Sequence, residues 1–430
     1  MGNQYRLTAA AVSLTAALVS VACSDSPNSL ATAPRDAAVA TQAAATTGLP
    51  KIGHVFIVIL ENEDVLATYG PNSPATYLID TLAPMGTFMS QYYGIGHASL
   101  DNYTAAVSGQ APDSSTSADC NIYSNFVPRG PNGGWLPNGQ IAGEGCVYPK
   151  GVWTIGQQMN AAHLTWKAYM EDMGNNPSRE ASVCGHVPIG SVDITNNETP
   201  EDQYAARHNP FVWFHSIIDG AECNNVVSLN PLQQDLQSVA TTPNYVWITP
   251  NVCHDGHDSP CITGEPGGLV SANLWLKEWM PLILNSPAYK QDGMVIIISD
   301  ESEGSNRSVA CCGEQPGPNE AFPGGTGDGG GPGGGDVGAV AISKFITPGG
   351  FDDTQYNHYS LLASVFNIFN LQKFGQHQLG YAGAAGLPVF GSDLFTNPTG
   401  AAMAQRVKLG PSVSSAALLA KHGYLQISAK

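Results

Sequence analysis

Three stretches of the chain are apolar without interruption and then stop at polar, chemistry-bearing residues. Val55 to Leu60 is rich in β-branched side chains and ends at Glu61-Asn62-Glu63. Asn244 to Pro250 runs into Asn251 and then His254, Asp255, His257 and Asp258, and Gly293 to Ser299 runs into Asp300-Glu301-Ser302-Glu303. A strand with no polar alternation has both faces covered, as in a parallel sheet sandwiched between helices. In open sheets of that kind ligands bind beyond the carboxyl ends of the strands, so the three polar clusters are expected to converge there.

Helical spacing is predicted for Asp80 to Phe88, Trp153 to Tyr169 and Asn273 to Leu284, and the alternation with strands gives an α/β fold. A further strand is expected at Val337 to Ile342, and Asn357-His358-Tyr359-Ser360 opens a helix over Leu361 to Phe369. Between Asp113 and Val152 there is little periodicity, which predicts a loop-rich, cap-like insertion. The glycine run from Gly324 to Gly335 contains no GxxxxGK[ST] and does not lead from a strand into a helix, which excludes a nucleotide P-loop. It reads as a linker, with a lid near Asp300 as the alternative.

Charge changes the picture in one respect. With 35 acidic against 17 basic residues in 430, the net charge is −18, and a sequence-independent grip on nucleic acid is excluded. Few charges (12%) with 48 glycines and 30 prolines suit an exported protein with long ordered loops. The N-terminus agrees: Arg6 precedes an apolar stretch from Leu7 to Ala22 that is too short for a convincing membrane span, and Cys23 follows at a lipoprotein-like cleavage site. Plain secretion is the alternative. The expected organisation is a signal peptide over 1–23, a Ser/Ala/Thr/Pro tether over 24–48, one catalytic domain over 49–396 and a tail over 397–430 to which no role is assigned. Localisation is then secreted or cell-envelope in a bacterium, with the membrane touched only through a lipid on Cys23. Eight further cysteines, an even number, imply disulfides; Cys253 and Cys261 are spaced for a local bridge.

The densest candidate chemistry surrounds Ser99, in Gly94-Ile95-Gly96-His97-Ala98-Ser99-Leu100-Asp101-Asn102-Tyr103. It follows a glycine-flanked turn and precedes a helix expected over Asn102 to Ser108. A hydroxyl at a helix N-terminus faces free N–H groups, which suits a nucleophile that carries an anionic phosphoryl group; the same position suits a simple helix cap. Glu61, Asn62, Asp300 and Glu301 supply oxygen donors that, with Ser99, could enclose one divalent cation. His254, Asp255, His257 and Asp258 form a second cluster, for another metal or a general acid, against the alternative of a hydrogen-bonded loop. Arg207 is the obvious cation for a phosphate, with His208 beside it as a candidate acid, and His358 is a ligand or a cap.

In order, His54–Asn62, His97–Tyr103, Tyr204–Phe211, Asn251–Gly256, Asp300-Glu301 and Asn357-His358-Tyr359 resemble the motif set of the phosphoesterase family that contains bacterial secreted acid phosphatases and phospholipases C. The resemblance implies an alkaline-phosphatase-like fold, a mostly parallel central sheet flanked by helices with loop-rich, disulfide-containing insertions. It also implies Ser99 as nucleophile, Glu61, Asn62, Asp300 and Glu301 as metal ligands, and His97, His208, His254 and Asp255 near the phosphate; Asn102, Arg207, His257 and His358 are expected beside these as substrate contacts. Two positions depart from the pattern: Ala98 and Asp101 stand where proline is usual. They are expected to loosen the turn and to add a negative charge near the phosphate. The function implied is metal-dependent hydrolysis of phosphate monoesters, with the metal open among calcium, magnesium, manganese and zinc and the substrate a phosphorylated small molecule or lipid. Cleavage of phosphodiesters is one alternative, and a non-catalytic surface lipoprotein that binds glycans is another.

Overall fold

The computed structural model describes residues 48–303, 307–325, 331–371 and 380–401. The expected signal peptide with Cys23, nearly all of the tether and most of the C-terminal tail therefore lie outside the described residues.

An eight-stranded sheet forms the centre. Its strands are β1 (His54–Leu60), β2 (Thr87–Met89), β3 (Trp166–Met170), β4 (Val226–Ser228), β5 (Tyr245–Thr249), β6 (Gly293–Ser299), β7 (Ala339–Ser343) and β8 (Gly350–Asp352). They lie in the order β8-β2-β7-β6-β1-β5-β3-β4, and all neighbours are parallel except the two pairings of β7. The three apolar runs are thus adjacent at the middle of the sheet. Along β1, Val55, Ile57 and Ile59 enter one apolar cluster while Phe56, Val58 and Leu60 enter another on the opposite face. Both faces are covered, which is why the run has no polar alternation. On the first face pack α1 (Ser99–Ser108) and α4 (His358–Phe369); on the second packs α3 (Gly268–Asn285), through Trp275, Leu276 and Met280.

Two expected helices are not continuous. The amphipathic stretch from Trp153 to Tyr169 divides into α2 (Ile155–Ala161) and strand β3. His163 between them has a left-handed backbone (φ 60°), and Trp166 to Met170 pair with both β5 and β4, so tertiary pairing overrides the local helical spacing. The stretch from Asp80 to Phe88 forms short helical turns over Leu78–Leu82 and Ala83–Met85, breaks at Gly86 and continues as β2. The helix expected over Asn102 to Ser108 begins earlier, at Ser99.

The insertion is loop-rich as expected and carries a disulfide, Cys120–Cys146. Cys184–Cys223, Cys253–Cys261 and the neighbours Cys311–Cys312 are also bridged, so the local Cys253–Cys261 pair forms. The described glycines at 331–335 pack as a tight spacer against the serine turn. Gly334 N donates to Gly94 O, and a Cβ on Gly334 would meet the Gly94 carbonyl carbon at 2.5 Å.

Candidate active site

The parallel strands deliver their carboxyl ends to one edge of the sheet. There Glu61 follows β1, Asp300 and Glu301 follow β6, and the loop from Asn251 to Asp255 follows β5. The turn Gly94–Ala98 brings Ser99 over this edge as the first residue of α1. The turn is held from within by Asn102: its Oδ1 accepts from the N–H groups of Ile95 (2.6 Å) and Gly96 (3.1 Å), and its Nδ2 donates to the carbonyls of Gly96 and Ala98. Asn102 is fully buried, and these bonds occupy its polar atoms. The structure therefore makes it a scaffold of the serine turn, where the sequence reading expects a substrate contact.

Ser99 Oγ donates a hydrogen bond to Glu61 Oε1. Oxygens of Glu61, Asp300 and Glu301 lie within 4.8 Å of one another. Asn62 has a left-handed backbone (φ 53°), fixed by its N–H bond to Asp300 Oδ1 at 2.9 Å, and Asn62 also lines the pocket outside. Around Asp300, Oδ1 also accepts from Glu301 N at 2.7 Å. By contrast Asp300 Oδ2 and Asn62 Oδ1 are buried without a hydrogen-bond partner.

The electrostatics are lopsided. Burial, then the nearby Glu61 charge, pushes Asp300 well above the usual carboxylate range; burial and then Asp300 do the same to Glu301. Burial would raise Glu61 too, but His208, with Arg207 and His257 beyond it, outweighs this and holds it down to about 2. His208 sits between two acids, its Nε2 2.8 Å from Glu61 and its Nδ1 3.3 Å from Asp255, with its ring stacked on Tyr103. Burial disfavours the imidazolium there, yet Glu61 prevails and its pKa is raised. Removing a carboxylate from water costs several kcal/mol unless a positive partner offsets it. Four buried acids (Glu61, Asp255, Asp300, Glu301) have the His208 imidazolium against two of them and the Arg207 and His257 charges farther off, and the orphaned oxygens are hard donors. This donor set fits an oxygen-preferring divalent cation held by Glu61, Asn62, Asp300 and Glu301.

Ser99, Asn62 and Glu301 open onto a pocket of about 460 Å³ whose lining also includes Asp119, Asn121, Asn196, Arg207, His257 and Glu303. Arg207 Nη1 donates to Asn196 Oδ1 at 3.0 Å. Burial works against its charge, but Asp119, Glu61 and Asp255 more than compensate and keep it protonated. His257 lies 3.2 Å from Asp258 and 3.5 Å from Glu303. Its bond to Asp258 outweighs burial and, with the surrounding acids, lifts its pKa to about 9, so it carries a proton at neutral pH.

The other expected residues do not line this pocket. His97 is buried 3.7 Å from Glu301. His254 and Asp255 do not join His257 and Asp258 around a second ion: His254 is held between Glu171 (3.0 Å) and Glu265 (3.4 Å), while Asp255 backs His208. Cys253, beside His254, is locked in its disulfide and offers no thiolate. His358 is wholly buried below the site. Its Nε2 lies 2.6 Å from the Asp300 carbonyl, so that nitrogen donates, and Nδ1 accepts from the Tyr92 hydroxyl at 3.1 Å. Burial lowers its pKa to about 4, so it is a neutral prop for the Asp300 turn with no path to a substrate. Asp101 is likewise fully buried, turned toward Gly96 and Ser117, and burial raises its pKa well above normal. The extra acid thus adds no carboxylate to the pocket lining.

Sequence reasoning passed over Glu171, Asp119, Asn121 and Asn196. Glu171 follows β3 as the other acids follow their strands, and its Oε2 also accepts from Asn251 N at 3.0 Å, which ties down the β5 loop. Its signal was present in Met170-Glu171-Asp172 but was hidden by the helical reading of that stretch. The pocket residues Asp119, Asn121 and Asn196 lie in aperiodic loops that carry no such signal.

Comparison with known proteins gives the family of the chain. A "Probable acid phosphatase" of Kluyveromyces lactis is 24% identical over 328 residues, 75% of this chain and 59% of its own length. A "Phosphatidylinositol-3-phosphatase" of Mycobacterium tuberculosis is 23% identical over 331 residues, 77% of this chain and 81% of its own. The chain spans less than three-fifths of the fungal acid phosphatases it matches, 56% to 59% of their length. A solved structure of a protein in the alkaline phosphatase superfamily from Vibrio parahaemolyticus aligns with a TM-score of 0.44 and 12% identity, over 81% of this chain and 73% of that one. The model of the Phosphoesterase family matches residues 53–372, three-quarters of the sequence, and the chain belongs to that family.

Proposed function

We propose that this chain hydrolyses phosphate monoesters through a phosphoserine formed on Ser99. The observation that carries the reading is the convergence of a helix-terminal hydroxyl, bonded to Glu61, with the two acids of another strand end, at the floor of a pocket that holds Arg207. A divalent cation on Glu61, Asn62, Asp300 and Glu301 would supply charge neutralisation for the phosphoryl oxygens and lower the pKa of the Ser99 hydroxyl.

The remaining work falls to the chain itself. Arg207 binds phosphoryl oxygens as a fixed fork, pre-set by Asn196 and by the acids around it. In the resting site the Ser99 hydroxyl points its proton at the Glu61 carboxylate. Ser99 Oγ attacks phosphorus in line: its proton passes to Glu61 as the Oγ–P bond forms, the bond from phosphorus to the ester oxygen breaks, and the leaving alcohol takes a proton from His257. A water, giving a proton to His257, then attacks the phosphoserine; the P–Oγ bond breaks and Ser99 takes its proton back from Glu61, which restores both groups. His208 and Asp255 keep Glu61 oriented from behind.

A monoester carries nearly two negative charges at neutral pH, and the pocket offers Arg207 and protonated His257 in addition to the cation position. That balance favours monoesters over diesters. The expected ratio of kcat/KM for p-nitrophenyl phosphate over bis(p-nitrophenyl) phosphate is at least about 10²-fold, as two further charge-assisted contacts imply. A ratio near one or below it would favour the diesterase reading. The name of the mycobacterial relative admits a lipid phosphate among the monoesters.

A further inference from the structure

Beside the pocket mouth lies a cluster of exposed aliphatic side chains that the chemistry above does not use. Val192 is 62% exposed, Ile122 53%, Ile194 44% and Ile189 41%. They form one lip. Ile122 and Val192 face each other in an antiparallel bridge, with Tyr123 N donating to Ser191 O and Asp193 N to Asn121 O. Asp193 and Thr195 point inward, so Val192 and Ile194 alternate outward. Asn121 and Asn196, which line the pocket, are one and two residues away from Ile122 and Ile194.

We propose that this lip inserts into a lipid surface without net negative charge, such as a zwitterionic bilayer, and presents the pocket to phosphate monoesters sparsely embedded there. Exposed apolar clusters beside a binding pocket mark docking surfaces. Three observations select a lipid. First, the stretches 120–128 and 181–197 hold one carboxylate, Asp193, which is buried, and no Lys or Arg. Asp119 and Arg129, the latter paired with Glu144 at 2.7 Å, flank the first stretch and Glu180 and Glu198 the second, so the lip carries no net positive charge to draw it to an anionic surface and suits a neutral one. Second, the bridge satisfies the backbone beneath Ile122 and Val192, so those side chains can leave water without stranding the N–H and C=O groups that pair across it. Third, four aliphatic side chains are far fewer than the about 20 to 30 residues per side of a stable protein interface, whereas they suffice for shallow insertion. The docking stands on exposure and charge alone; its use in turnover rests on the phosphatase reading.

The test uses the full chain with Cys23→Ser, which prevents acylation, beside the same chain carrying Val192→Glu and Ile122→Glu. Both are sedimented with phosphatidylcholine vesicles and assayed on p-nitrophenyl phosphate. The parent is expected to sediment with the vesicles and the variant to partition at least about tenfold less, with unchanged kcat on the soluble ester. Three results would overturn the proposal. The parent could stay in the supernatant, the variant could sediment equally well, or the parent could be a dimer that the substitutions dissociate. Loss of soluble-ester hydrolysis in the parent itself would instead overturn the phosphatase reading and leave the sedimentation result to be judged separately.

Discussion

Ser99→Ala is expected to lower kcat on an aryl phosphate monoester by at least about 10³-fold, with KM changed little. The expectation follows from the lining of the pocket, in which Ser99 carries the sole hydroxyl among the residues described. The substitution leaves the fold in place. Ala98 occupies the cap position and the Ser99 side chain makes no capping bond, so the helix loses nothing at its start. Losing the charge-assisted bond to Glu61 costs about 1.5–3 kcal/mol, less than the effect on turnover. A loss of activity accompanied by normal thermal unfolding would therefore report chemistry. Undiminished hydrolysis by the alanine variant would remove Ser99 from the mechanism.

Depletion of divalent ions is expected to have a comparable effect on turnover, and Asp300→Asn should reproduce it. In Asp300 the oxygen Oδ1 accepts from Asn62 and Glu301 while Oδ2 has no partner. Asparagine can keep Oδ1 and its two bonds, but it turns the other atom into an N–H donor that faces the cation position. Metal affinity should fall at least about 10²-fold for this lost ligand. The stability effect should have the opposite sign in the absence of metal, since the variant removes a buried acid whose charge is opposed by burial and by the neighbouring Glu61. In a chelator the variant is expected to melt at or above the temperature of the parent; with saturating metal the parent should be the more stable, because binding favours the state that binds. A variant that melts lower than the parent in chelator, or chelated protein that keeps full activity, would contradict the assignment of these oxygens to a cation.

How far the sequence revealed this molecule depended on whether a signal was local. Val55 to Leu60 and Gly293 to Ser299 could be read as doubly buried strands because burial on both faces removes polar alternation from the residues themselves. Their abrupt ends pointed to Glu61 and Asp300. Trp166 to Met170 failed for the complementary reason: its strand state comes from pairing with β5 and β4, and its residues fit a helix equally well. With that strand went Glu171. Asn102 and His358 show a different boundary. Polar residues in a motif can serve the substrate or the turn that carries the motif, and only coordinates reveal that Asn102 bonds its own turn and His358 props the carbonyl of Asp300. Asn121 and Asn196 reach the pocket through loops whose course depends on the whole fold, and nothing in their neighbourhood announces them.

The most direct test of the central claim is to stop turnover with acid in the steady state on a good aryl monoester and to map the protein by peptide mass spectrometry. One phosphoryl group on the peptide that contains Ser99, absent from Ser99→Ala, is the expected result. A phosphoryl group on another residue, or rapid turnover with none trapped under conditions that preserve phosphoserine, would contradict it.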